Sequence, residues 1–278
     1  MEIYFSSLRE VIYFCEYMYE DEKQLDLHWE NDVPHGHRVI ITDLNLTDSI
    51  VESISKAFVN IYYTYHISKV LQRVLRKNYY YTNQFEIEKI IEHAYIILFE
   101  HKENPVVKKL KKNLQAQFSK IVCSSNPLYF ETIIHFQLTN LKDHFIELIG
   151  LAIDDFKQEE LHQQFIHNIR VFMKNKKTNY KEVHIVQGSP FSYYNETGDE
   201  ITQKKVDNLL EKEPLYLLGL STPDYYLSPL IAMAPEKIYI YGDNIFEAKT
   251  QSIMNVFQEK VVFHDISTFP FKQLESKN

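Results

Sequence analysis

Only six glycines occur in 278 residues, and none lies between Gly36 and Gly150. A run of 113 residues without the commonest disruptor of helix interiors, followed by four glycines from Gly188 to Gly242, divides the chain into a helical middle and a turn-rich C-terminal third. With 45% apolar residues, a chain of this length buries a substantial core as one large or two modest domains. The 14% aromatic content accompanies abundant Ile, Lys and Asn, as codon bias in an AT-rich genome produces, so it is weak evidence for a stacking surface. Cys15 and Cys123 stand far apart without metal-ligand spacing, which fits a reducing compartment. The N-terminal residues lack the basic-then-apolar order of a signal peptide, and no uncharged run approaches the roughly 18 residues of a membrane span.

Hydrophobic periodicity predicts strand, helix, strand, strand for residues 2–5, 8–19, 25–29 and 38–42, with turn chemistry from Asn31, Asp32, Pro34 and Gly36. Ser49 with Glu52 reads as a capping box opening a helix to about Lys77, and Asn83 with Glu86 opens the next. Further helical periodicity covers 106–122 and about 129–175, with Gly150 a possible interruption and a break expected at Asn104–Pro105. From Lys181 the pattern shifts to short β-rich runs at 182–186, 191–194, 215–219, 237–241 and 261–264. The first two read as a hairpin, and the last three, separated by helical stretches, read as parallel β-α-β units. The expected fold is therefore mixed α/β: a small N-terminal α/β unit (1–46), a central helical bundle (47–177), and a C-terminal α/β layer (178–278) with a mostly parallel sheet.

Ligands of open parallel sheets bind beyond the carboxyl ends of the strands, where this chain places Ser221, Asp224, Asp243, His264 and Asp265. These acids and the imidazole suit a phosphate- or divalent-metal-dependent enzyme. The competing reading is that Thr222–Pro223 and Asn244 with Glu247 are helix starts, whose side chains satisfy terminal amides. Neither G-x-G-x-x-G nor G-x-x-x-x-G-K-[ST] occurs, so no cofactor of the familiar nucleotide types is expected. Glu159 with His162 is a single E-x-x-H where di-iron bundles need two, and His35–Gly36–His37 has no third ligand, so no metal site is assigned.

Charge is partitioned more sharply than composition suggests. Between Ser53 and Phe85 there are five cations (Lys56, Lys69, Arg73, Arg76, Lys77) and no acid, and between Asn104 and Phe130 five lysines and no acid, in a protein of net charge −8. On a helix from Pro105, the apolar Leu110, Leu114 and Phe118 share one face, and Lys108, Lys109, Lys111 and Lys112 point away from it. Such a face suits an anionic membrane surface, nucleic acid or an acidic protein partner, unless the chain's own acids neutralise it.

Three stretches, 133–148 (IIHFQLTNLKDHFIEL), 182–186 (EVHIV) and 227–241 (LSPLIAMAPEKIYIY), resemble the YtxC-like putative sporulation proteins of endospore-forming Firmicutes. Leu227, Ser228, Ala234, Pro235, Lys237 and Ile238 match that family's pattern, whereas His135, Gln137, Thr139 and Asn140 stand where basic residues are usual. The resemblance implies a cytoplasmic protein linked to sporulation and carries over no active site. The expected role is non-catalytic binding or scaffolding, most simply with a protein partner.

Overall fold

The computed structural model describes residues 1–21, 26–42, 47–124, 127–138, 141–174, 176–211 and 226–271. The fold is mixed α/β and groups into two compact units, Met1–Gln158 and Glu159–Asn278, each with its own apolar core. Among the described residues, no helix is long and apolar enough to cross a membrane.

The first unit opens with β1 (Glu2–Phe5), α1 (Leu8–Asp21), β2 (Leu27–Val33) and β3 (Gly36–Ile41). β3 lies antiparallel between β1 and β2. Gly36 turns the β2–β3 hairpin at φ +113°, and a Cβ there would sit 2.3 Å from the Phe5 carbonyl oxygen. Both the left-handed backbone and the close approach demand glycine. Gly36→Ala is expected to cost about 1–3 kcal/mol in urea unfolding; an unchanged midpoint would contradict this turn.

Helices follow: α2 (Asp48–Ile61), a π-helical turn (Tyr62–His66), α3 (Ile67–Asn78), α4 (Gln84–Phe99) and α5 (Pro105–Ser124). Asn83 caps α4 by accepting from the amides of Phe85 and Glu86, and the expected break before Pro105 is present. α2 begins earlier than its sequence suggests: Thr47 is the cap, accepting from the Ile50 amide, and Ser49 lies inside the helix. Among the described residues, the largely helical region includes one strand. Leu128–Tyr129 forms a two-residue strand, β4, that pairs parallel with β1 and completes the sheet order β2-β3-β1-β4. Next come the short α6 (Phe130–Thr132), a second π-helical turn (Ile133–Gln137) and α7 (Lys142–Lys174). Gly150 does not interrupt α7. A Cβ there would lie 3.0 Å from the Tyr79 hydroxyl, which donates to the Ile146 carbonyl.

The second unit contains β5 (Glu182–Val186), β6 (Ser192–Asn195), α8 (Gln203–Leu210), α9 (Ser228–Met233), β7 (Lys237–Gly242), α10 (Ala248–Phe257) and β8 (Val261–Asp265). Its sheet order is β6-β5-β7-β8, with the β5–β6 hairpin antiparallel and β5–β7 and β7–β8 parallel. Strand alternation buries Val183, Ile185, Ile238 and Ile240 in the apolar cluster. The intervening positions carry His184, Tyr239, Tyr241 and His264, whose rings stack side by side. The β-rich run at 215–219 and the helix start at Pro223 lie outside the described residues.

Candidate functional site

A cavity of about 290 Å³ opens in the first unit. Its floor is apolar: Tyr62, Val74, Leu138 and Phe145 are all buried. Its rim is basic. Lys69, Arg73 and Lys77 follow one another at four-residue steps along α3, which places them in one row about 12 Å long at 1.5 Å per residue. Lys142, from the first turn of α7, completes a set of four lining cations. Among the described residues, none of the four has an ion-pair partner, whereas Arg76, just off the row, donates to Gln84.

Both π-helical turns contribute to this one cavity: the first supplies Tyr62 and His66, the second Ile134 and His135. A π turn widens the helix by one residue and shifts the side chains that follow, and such turns concentrate at functional sites. The two imidazoles each meet a carboxylate. His135 Nε2 lies 3.6 Å from Glu131, itself part of the lining. His66 Nε2 bonds Glu10, which is 2% exposed. The other Glu10 carboxylate oxygen accepts from the Ser7 amide and the Ser6 hydroxyl, the reciprocal half of a capping box at the start of α1. Burial pushes the Glu10 carboxyl up, but the His66, Ser7 and Ser6 contacts outweigh it and hold the group below its ordinary range. Burial, reinforced by Tyr63 and opposed by Arg73, raises the Tyr62 phenol well above its usual range.

The sequence-derived candidates occupy other places. Lys108, Lys109, Lys111 and Lys112 are exposed on α5, with Val107, Leu110, Leu114 and Phe118 buried behind them. Lys108 pairs with Glu103 at 2.5 Å. On the C-terminal rim, Ser221 and Asp224 lie outside the described residues. Asp243 is exposed, and Asp265 accepts from the Ser267 amide and hydroxyl, contacts that hold its carboxyl below the usual range. His264 stacks on Tyr239 and Tyr241. The proposed Asn244 helix cap is replaced by a tight turn: Asn244 accepts from the Phe246 amide, and α10 starts only at Ala248.

Gly242 leaves room for a side chain at this rim, not for a ligand's phosphate. A Cβ there would fall 1.7 Å from Gln187 Oε1. Gln187 crosses the β5–β7 end to donate to the Asn244 carbonyl and the Thr250 hydroxyl. Among the described residues, no group of three or more His, Cys, Asp or Glu side chains is arranged to hold a metal ion.

The α3 cations were visible in the sequence as an acid-free run, but nothing there set them opposite Lys142 and the residues of the second π turn. The comparisons with known proteins bear on the same region. The YtxC-like family model matches residues 52–262, which includes every residue lining the cavity. The uncharacterized protein YtxC of Bacillus subtilis (strain 168) is 24% identical over 212 residues, 74% of this chain and 74% of that protein. No solved structure matches. With three quarters of its length inside the family model, and the cavity wholly within that span, the chain belongs to the YtxC-like family.

Proposed function

We propose that this protein is a cytoplasmic, sporulation-associated binding protein that acts without catalysis and holds a small organic anion in the cavity of its first unit. One observation carries the reading: four cations without an ion-pair partner among the described residues ring a floor of buried apolar side chains. An apolar pocket with a few convergent polar groups is the usual form of a small-molecule site, and 290 Å³ lies near the lower end of the size range of such sites. Glu131 meets Nε2 of His135 and Glu10 meets Nε2 of His66, so the four cations carry most of the charge that meets the ligand. The cellular setting is what the sequence resemblance to YtxC-like sporulation proteins implies.

The test is titration calorimetry with octanoate and octyl phosphate at low salt. The triple variant K69Q/R73Q/K77Q should lose about tenfold or more in affinity for whichever probe binds, since each charge-assisted contact is worth about 1.5–3 kcal/mol. Binding by the unmodified protein should weaken as salt rises. As a control, K108Q/K109Q/K111Q/K112Q should bind unchanged. Absence of binding by either probe, or equal affinity in the triple variant, would overturn the proposal. Loss confined to the α5 variant would move the anion site to that helix.

A further inference from the structure

Resting on the anion-binding reading, we infer that the headgroup this pocket selects is a phosphate monoester dianion on a short apolar chain or single ring, with His66 as a headgroup contact. Charge comes first. Lys69, Arg73, Lys77 and Lys142 face the space with one lining acid, Glu131, which is shared with His135. A carboxylate or sulfate ester neutralises one of these cations. A phosphate monoester carries about −1.5 to −2 at neutral pH and presents three strong acceptor oxygens. The cations also come from two elements, α3 and α7, so a tetrahedral group can be met from more than one direction.

His66 adds a specific element. Its Nε2 bonds buried Glu10, which fixes that nitrogen as a donor, and the ring packs edge-on against Phe130 at 5.7 Å. Among the described residues, Nδ1 has no hydrogen-bond partner. Nδ1 is therefore the ring atom left to hydrogen-bond a phosphate headgroup, with the Glu10 carboxylate on the far side of the ring. Among the described residues, the titratable groups that line the cavity with this ring are Lys69, Arg73 and Lys77 from α3, Glu131 and His135 from the segment after β4, and Lys142 from α7, and Glu10 from α1 bonds the ring itself. The apolar floor of Tyr62, Val74, Leu138 and Phe145 receives the carbon part, and the cavity volume limits its length.

Calorimetry with octyl phosphate, octyl sulfate, octanoate and inorganic phosphate, at one low ionic strength near neutral pH, separates the elements. Octyl phosphate should bind at least about tenfold tighter than each of the other three. H66Q, which keeps a hydrogen-bonding partner for Glu10, should weaken octyl phosphate by about fivefold and leave octyl sulfate unchanged. K142Q, which changes an exposed side chain, should weaken octyl phosphate by a similar factor. Octyl sulfate or octanoate binding as tightly as octyl phosphate would overturn the headgroup assignment while the anion site stands. Inorganic phosphate binding equally well would overturn the ester assignment. An unchanged affinity in a folded H66Q would remove the His66 role, and failure of every probe would overturn both this inference and the anion site.

Discussion

Phe58→Ala is expected to lower the stability of the first unit by about 3–5 kcal/mol, the range for deleting a buried aromatic side chain with incomplete collapse of the space left behind. Phe58 is fully buried on α2. Its ring lies 5.0 Å from Phe130, 5.5 Å from Phe118, 5.8 Å from Phe14 and 6.2 Å from Phe5. Those partners come from α6, α5, α1 and β1, so one side chain of α2 ties the sheet to three other helices. Phe58→Leu keeps most of the volume and should cost under about 1.5 kcal/mol. Urea unfolding followed by circular dichroism distinguishes the outcomes. A loss below about 1 kcal/mol for the alanine variant would mean that the core is not assembled around this ring. Phe130 also packs against His66, so the same variant should weaken octyl phosphate binding under conditions where it remains folded.

The layout of the helical region was legible wherever a local rule had one solution. Pro105 has a fixed φ suited to the first position of a helix and opens α5, and Asn83 has the side chain and the following amides that a cap requires. Ser49 with Glu52 carries the capping-box pattern, yet the cap is Thr47, which has no acid three residues on and so gave no such signal. Gly150 misled for a physical reason. A helix-interior glycine costs about 1 kcal/mol, which a 33-residue helix readily tolerates, and here its bare backbone leaves space beside the Tyr79 hydroxyl. In the C-terminal unit, period-two alternation identified the strands, but the two faces differ in kind. One is aliphatic, and the other is a tier of imidazole and phenol rings.

The cavity was hidden because its residues converge from distant parts of the chain. The first π turn ends at His66 and the second begins at Ile133, so neither half reads as a site alone. Nothing in YYTYH or IIHFQ announces a widened turn. The acid-free run through α3 was a true signal without an address. The parallel run through α5 was equally prominent in sequence, but there the lysines lie on an exposed helix face, whereas the α3 row borders the cavity. Glu10, the residue that anchors His66, reads in sequence as one more polar position on an amphipathic helix; its burial follows only from the return of the chain at residue 66.

Glu10→Gln should lower stability by about 2–3 kcal/mol at neutral pH, because it replaces a buried carboxylate serving both His66 and the start of α1 with a neutral amide. The amide oxygen can keep one of these roles, while its NH2 group faces donors on the other side, so the loss exceeds that of an ordinary exposed cap. The sign with pH follows from the depressed carboxyl. In the folded protein Glu10 titrates below its ordinary value of 4.5, so in that acid range the unfolded chain binds more protons than the native one. The stabilisation from this group is therefore complete above the ordinary value and disappears as pH falls through the folded-state value. The gap between the unmodified protein and Glu10→Gln should be full near neutrality and narrow below about pH 4.5. Unfolding curves for both proteins across that range test it. Equal stability at neutral pH, or a gap that widens on acidification, would show that the buried carboxylate is not what holds His66 in the cavity wall.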